Sequence, residues 1–409
     1  MKLGIIADDF TGASDVALAV AEAGMSVAQF IGVPNGPADA ALDAGVVALK
    51  SRTALVEEAV ADSLAACDWL RAEGAAQIMF KVCSTFDSTP EGNIGPVLEA
   101  LAERLGAQHV LTTPAYPENG RSVYMGHLFV GDVPLNESGM QDHPLTPMTD
   151  SDLRRVLAAQ TSWPVAHVRA SIVAQSADAI RETLPASRAM VILDAIHDDD
   201  LMKIGAAARG EALVCGGSGI ALGLPANFGA APAAPRWRAV SGPGVVLSGS
   251  CSRATRGQVD RFRATNPAQE VTAETAVTGT MHADILADWV LNQDRPALVY
   301  SSADPSVVQA AQARLGRETA AAAIEGLFSS LASRLADTGV TRFVVAGGET
   351  SGAVVSGLDA QALTIGPRIA PGVPVVRLAD RPIALALKSG NFGGPDFFAE
   401  ALTMMETEQ

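Results

Sequence analysis

Three sets of residues in this 409-residue chain have types and spacings that could do chemistry. The first is Asp8-Asp9, two adjacent carboxylates that end the apolar run Leu3, Ile5, Ile6, Ala7 and precede Thr11-Gly12. The second is cationic and polar. Lys50-Ser51-Arg52 follows another apolar run, and Lys81 leads into Ser84-Thr85-Phe86-Asp87-Ser88-Thr89. An arginine there can hold a carboxylate through two parallel hydrogen bonds, and the hydroxyl-rich loop suits a polyhydroxy ligand. The third set is small-residue turns: Ser248-Gly249-Ser250-Cys251-Ser252, Gly347-Gly348-Glu349-Thr350-Ser351-Gly352 and Lys388-Ser389-Gly390-Asn391. Backbone N–H groups in such turns, at the start of helices, bind phosphates.

The elements needed to position these groups are strands that end where the turns begin. Leu3 to Ala7 reads as a buried strand, with a helix carrying Val16, Ala19, Val20 and Ala23 after the acidic turn and Gly24 closing it. In open α/β sheets ligands sit beyond the carboxyl ends of strands, where Asp8 and Asp9 fall. The plainer alternative makes Asp9 a helix cap and Asp8 a solvated loop charge; for Arg52 it is a surface ion pair. The rhythm continues through strands at 26–31, 45–49, 77–82, 109–113, 165–168, 190–193 and 213–216. Residues 127–135 read as a β-hairpin, and the Pro-rich polar segment 137–148 as a lid or clamp loop. The acidic run Asp198-Asp199-Asp200 reads as a solvated helix start. Residues 225–244, rich in Ala, Pro and Gly, mark a boundary, after which strands at 245–247, 297–301, 343–346 and 383–387 rebuild the pattern. The fold class expected is α/β: two α/β domains with largely parallel sheets, residues 1–235 and 236–409.

The chain is 48% hydrophobic, so it can bury substantial cores, and its net charge of −16 argues against nucleic acid or an anionic membrane as partner. Four scattered cysteines without a CxxC pair fit a reducing compartment and no structural zinc. Met1-Lys2 runs straight into a strand, leaving no room for a signal peptide, and no apolar run is long enough for a membrane span. A cytoplasmic location is expected.

Several standard motifs fail on inspection. There is no Gly-Lys dipeptide for a Walker A loop and no GxGxxG fingerprint. The six histidines lack HxxxH spacing, so no resident metal is expected. Gly217-Ser218-Gly219 lacks the second glycine of a nucleophile elbow, because position 220 is Ile. A haloacid-dehalogenase phosphatase alignment that matches Asp9 and Thr11 puts the nucleophilic aspartate at Ala7, which cannot form an aspartyl-phosphate.

The ordered motifs, from Ile6-Ala7-Asp8-Asp9-Phe10-Thr11-Gly12-Ala13 to Lys388-Ser389-Gly390-Asn391-Phe392-Gly393, resemble the four-carbon acid sugar kinase family along nearly the whole chain. Lys50-Ser51-Arg52, Ser84 to Thr89 with Gly92-Asn93, and the two loops at 248–252 and 347–352 lie between them. Residues 126–132, 137–140 and His143-Pro144-Leu145-Thr146-Pro147-Met148 look most like the 3-oxo-tetronate branch, with threonate and erythronate kinases as near relatives.

The resemblance implies an N-terminal sugar-acid domain, a C-terminal nucleotide domain and a site for both ligands in the interdomain cleft. It also implies transfer of the γ-phosphoryl group of ATP, with Mg²⁺, to the C4 hydroxyl of the sugar acid. On that basis Asp9 orients or deprotonates the hydroxyl, with Asp8 in reserve. Arg52 and Lys81 take the substrate carboxylate, Ser84, Thr85 and Asp87 its hydroxyls, and Arg121 the substrate or migrating phosphoryl group. Ser248, Ser250, Gly347, Gly348, Glu349, Thr350 and Gly390 cradle ATP. The partners expected are sugar acid and ATP, with a homo-oligomer left open. Two rivals make different predictions: a two-domain sugar-acid sensor would bind without turnover, and a sugar-acid isomerase using Asp8 and Asp9 would turn over without ATP.

Overall fold

A computed structural model describes residues 1–143 and 145–408, apart from the side chains of residues 305, 306, 308 and 309. Pro144 of the His143 to Met148 motif lies outside the described residues. The chain divides into two compact units, Met1–Ala234 and Pro235–Gln409.

The strands of the first unit are β1 (Leu3–Ala7), β2 (Val27–Ile31), β3 (Ala44–Ala48), β4 (Gln77–Lys81), β5 (His109–Thr113), β6 (Arg121–Tyr124), β7 (His127–Val130), β8 (Val133–Pro134), β9 (Val165–Val168), β10 (Ala189–Leu193) and β11 (Leu213–Gly216). Its main sheet is parallel throughout, in the order β2-β3-β1-β4-β11-β5-β10-β9. Every residue of β1, β3, β4 and β10 is buried, which is why these strands read as unbroken apolar runs rather than alternating ones. β1 lies between β3 and β4: the chain runs outward from β1 to β2, the outermost strand of this order, and returns through β3 past β1 to β4, so the loops after β1 and β3 leave in opposite directions. Ala7 pairs in register with Ala48 of β3 and Lys81 of β4. The acidic turn, the Arg52 turn and the Lys81 loop therefore start from one row.

The hairpin predicted over 127–135 gains a third strand, giving an antiparallel β6-β7-β8 sheet. Asp194, at the end of β10 and wholly buried, anchors it by accepting the N–H groups of Met125 and Gly126 at its turn. The acidic run at 198–200 departs from expectation at one residue. Asp200 is buried because its carboxylate accepts the N–H groups of Ile196 and His197 at the helix start.

The second unit holds β12 (Gly244–Ser248), β13 (Ala268–Glu270), β14 (Ala297–Tyr300), β15 (Arg342–Ala346), β16 (Ala362–Ala370), β17 (Val373–Leu378) and β18 (Ala384–Lys388). Strands β13-β14-β12-β15-β18 are parallel, and β17 and β16 continue antiparallel. The long strands β16 and β17 carry no acidic or glycine turn of the kind sought in the sequence. The boundary segment 225–244 is less featureless than its composition implies. Trp237 and Val240 are buried in the core of the second unit beside Phe397, Phe398 and Met405. Ser248 pairs with Ala346 and Ala346 with Lys388, so three loops leave this sheet from one row as well.

Candidate active site

At the carboxyl edge of β1, β3 and β4 the structure brings Asp8, Asp9, Arg52 and Lys81 together. Asp9 is the N-cap of the helix Phe10–Glu22, accepting the Gly12 N–H at 3.2 Å and the Thr11 hydroxyl at 2.9 Å. It also takes part in an ion pair, with Arg52 Nη2 2.7 Å from its Oδ1. Asp8 is buried, at 4% exposure, and is therefore no solvated loop charge. Arg52 Nε and Nη2 bond its two oxygens at 2.9 and 2.8 Å. The two-bond grip expected of Arg52 on a substrate carboxylate is thus already made on Asp8. Only the Nη1 edge of Arg52 makes no hydrogen bond among the described residues.

The loop that carries Arg52 is fixed from a distance. Ser51 and Arg52 both donate backbone N–H groups to the Asp8 carbonyl. The Asn93 amide donates to the carbonyls of Ser51 at 2.6 Å and Ala54 at 2.9 Å. Lys81 is buried and donates to the Val82 carbonyl at 2.9 Å. Its ammonium lies so close to Gly12 that a Cβ on that residue would stand 2.8 Å from Nζ. Thr85 donates to Asp87 at 2.6 Å, and both are buried, whereas Ser84 is half-buried. Between them Phe86, fully buried, adopts a left-handed φ of 53°, a strained conformation held by its packing. A small recess is lined by Asp8, Ser51, Arg52, Asp87, Ser88 and Asn93. The Ser51 hydroxyl is buried there without a hydrogen-bond partner among the described residues. Arg121 stands apart from this lining, on β6, with its guanidinium on the Asn119 carbonyl.

The cluster drives the two aspartates in opposite directions. Burial raises the Asp8 carboxyl, and the charge and hydrogen bonds of Arg52 offset this only in part. Burial opposes ionisation of Asp9 too. There Arg52, Lys81, the Thr11 hydroxyl and the Gly12 N–H together prevail and hold it below the usual carboxylate range. Asp9 is also the more open of the pair, with 26% side-chain exposure against 5%. The Cys83 thiol, pushed up to about 12 by burial, is no nucleophile.

In the second unit the three predicted loops converge. Gly249 and Ser250 donate their N–H groups to the Ala346 carbonyl, and Gly347 donates to that of Lys388. Gly347, at φ 124°, sits where a Cβ would be 3.1 Å from Thr350 Oγ1 and 3.2 Å from Ser250 N. A Cβ on Gly390 would stand 2.6 Å from Ser250 Oγ. Ser248 is wholly buried and shares a 2.7 Å hydrogen bond with Ser302, so it supports the loop from beneath. Glu349 is exposed in the first turn of the helix Gly348–Gly357. Its carboxylate would repel a phosphate, which leaves its backbone N–H as the useful group. Among the described residues no group of three or more His, Cys, Asp or Glu side chains is placed to hold a metal ion.

Sequence reasoning gave no role to three residues that shape these sites: Asn93, Ser302 and Lys388. Asn93 and Lys388 stood inside quoted motifs, yet what they touch depends on loops far away in the chain. Lys388 is fully buried at the end of β18, directly under the converging loops.

Residues 3–224 match a family model described as a sugar-binding N-terminal domain, and residues 245–398 one described as a nucleotide-binding C-terminal domain. The chain is 51% identical to a 3-oxo-tetronate kinase of Cupriavidus necator, over 98% of this chain and 97% of that protein. It is 50% identical to a 3-oxo-tetronate kinase of Pseudomonas fluorescens, over 98% and 96%. Among solved structures it is similar to a Haemophilus influenzae protein, with TM-score 0.82, 41% identity and coverage of 98% and 100%. It is also similar to a Salmonella typhimurium protein described as a tRNA synthase, with TM-score 0.88, 44% identity and 98% coverage of each chain.

Proposed function

The chain belongs to the four-carbon acid sugar kinase family, and from that premise we propose that it phosphorylates the C4 hydroxyl of 3-oxo-tetronate with ATP. The observation that carries this reading is a division of labour between the two units. A charged, carboxylate-bearing edge forms in the unit matched as sugar-binding, and convergent small-residue loops form in the unit matched as nucleotide-binding. The tRNA-synthase description of one structural relative finds no footing here, because a net charge of −16 is ill suited to a polyanion.

The C4 oxygen attacks the γ-phosphorus, the bond to the β-phosphate oxygen breaks, and ADP leaves. Asp9 is the group we assign to the hydroxyl, orienting it and taking its proton. Asp9 is ionised and open, and among the described residues its Oδ2 is held only by Thr11. Asp8, buried, and Arg52, half-buried, hold Asp9 in place as an ion pair that fixes the turn. The Nη1 edge of Arg52, with Lys81 behind it, supplies positive charge for the substrate carboxylate. Ser51, Ser84, Thr85 and Asp87 offer partners for hydroxyls, and Arg121 is a further cation for substrate or phosphoryl group. In the second unit the N–H groups of Gly348, Glu349, Thr350 and Gly390, with the Ser250 hydroxyl, receive the phosphates. The Ser250 and Gly347 N–H groups are spent on the Ala346 and Lys388 carbonyls and hold the turns in shape, with Ser248 beneath them. Mg²⁺ arrives as the MgATP complex, carried by phosphates and water. Transfer requires sugar acid and ATP to meet with water excluded.

No helix among the described residues is long and apolar enough to cross a membrane, and all four cysteines are free thiols. Both fit the cytoplasmic setting we propose.

The test is an ATP-coupled assay on 3-oxo-tetronate, threonate and erythronate isomers, with the phosphorylated carbon located by NMR. ADP release that depends on 3-oxo-tetronate, with label on C4, is the expected result. Faster turnover of threonate or erythronate would move the substrate within the family. Conversion without ATP would favour the isomerase, and binding without turnover the sensor.

A further inference from the structure

Lys388 is wholly buried at the end of β18, yet among the described residues no carboxylate pairs with it. Its ammonium donates to Thr255 Oγ1 at 2.8 Å, to the Ser389 carbonyl at 3.0 Å and to the Gly390 carbonyl at 3.1 Å. A buried charge without a counter-ion is costly, so it is retained where an opposite charge arrives from outside or where it fixes a functional geometry. The first unit offers the contrast. Lys81 ends β4, is equally buried and also donates to the carbonyl of the next residue, but it has Asp9 beside it. At Lys388 no such anion stands among the described residues, and the loops overhead are those read as the phosphate cradle.

The geometry around Gly390 says how the charge would act. Its carbonyl accepts from three donors at once: the Ser252 hydroxyl, the Thr255 hydroxyl at 2.7 Å and the Lys388 ammonium. In a trans peptide C=O and N–H point in opposite directions, and this bond is trans. Drawing the Gly390 carbonyl inward therefore turns the Asn391 N–H outward, where it donates to nothing among the described residues.

We propose that Lys388 is a positioning residue of the nucleotide site: it clamps the Gly390 carbonyl so that the Asn391 N–H faces the terminal phosphates of ATP, and its buried charge completes theirs. This rests on the nucleotide-binding reading of the second unit. The three acceptors match the three donors of an ammonium, not the two of a neutral amine. Burial pushes the amine down to about 7, and a polyphosphate at the loop favours the charged form.

The test measures binding of ATP, ADP and adenosine, and of the sugar acid, by calorimetry for the full chain and for Lys388→Met. Charge-assisted bonds of this kind predict a loss of roughly tenfold or more in ATP affinity. Adenosine and sugar-acid affinity should stay within about twofold, because neither carries the phosphates in question. Equal losses for ATP and adenosine would make Lys388 a merely structural residue and overturn the proposal, as would no loss at all. Should Lys388→Met fail to fold, Thr255→Val removes one hydroxyl from the clamp and must show the same selectivity for phosphates at smaller scale. Restoration of ATP affinity in Lys388→Arg, with its charge kept, supports the electrostatic part. Wild-type protein that binds no ATP removes the nucleotide reading itself, and that outcome shows before any variant is compared.

Discussion

Arg52 lays its guanidinium on Asp8, with Nε 2.9 Å from Oδ2 and Nη2 2.8 Å from Oδ1, and the same Nη2 reaches Asp9 at 2.7 Å. One cation thus ties a buried carboxylate to the more open one beside it. Burial would lower the basicity of the guanidinium, but the two aspartates prevail and raise it well above its ordinary value.

Arg52→Ala should therefore destabilise the protein before it does anything else. Its removal leaves the carboxylate of the buried Asp8 uncompensated, and because Arg52 itself is half-buried the cost should fall at or below the about 3–5 kcal/mol of a fully buried pair. Urea denaturation is the measurement, alongside the KM for sugar acid. Arg52→Lys should retain part of the stability but lose the two-bond geometry, and with it the placing of Asp9. A raised KM in Arg52→Ala with an unchanged unfolding midpoint would return Arg52 to the simpler role of substrate ligand.

Asp9→Asn should lower kcat by about 100- to 10,000-fold while ATP affinity stays unchanged. The amide still fits the turn and can accept from Gly12, so stability should change little. The pH profile adds a second check. Asp9 is held below its ordinary value of 3.8, so it stays ionised until the solution is more acidic than that. Activity lost through its protonation should appear only below about pH 4. An acid limb near pH 6 that vanishes in Asp9→Asn would contradict this, as would near-normal turnover of the variant.

The parts legible in the sequence were those whose signal is local. Leu3 to Ala7 is buried on both faces, so it reads as an apolar run, and its end marks the site at Asp8. The loops at Ser248, Gly347 and Gly390 announce themselves in the same way, as do the strands that feed them. What was illegible depends on pairing between distant segments. Arg52 and Asp8 are 44 positions apart, and their grip follows from β1 lying in register with β3. Lys388 could not be distinguished from an ordinary strand-end lysine without Thr255, 133 positions away, above its ammonium. Trp237 looked like linker because it sits alone among Ala, Pro and Arg, and its burial is supplied by the terminal helix Phe397–Glu406.

Two glycines offer a matched test of how the work is divided. A Cβ on Gly12 would collide with Asp9 Oδ1 and stand 2.8 Å from Lys81 Nζ. A Cβ on Gly249 would collide with Oγ1 of Thr350, whose side chain is buried and has little room to swing away. Each substitution adds one methyl group and no charge, so any selectivity must come from where the methyl sits. Gly12→Ala displaces the Asp9 carboxylate from its cap and should lower turnover by roughly tenfold or more, with ATP affinity retained. Gly249→Ala spreads the loops at Ser250 and Thr350 and should weaken ATP binding by a similar factor, with sugar-acid affinity retained. Calorimetry on both variants with both ligands gives four numbers. If Gly12→Ala lost ATP affinity, or Gly249→Ala lost sugar acid, the assignment of one ligand to each unit would fail. If each variant loses only its own function, the acceptor and the phosphate donor are held by separate edges, and the two carboxylates after β1 act on the acceptor.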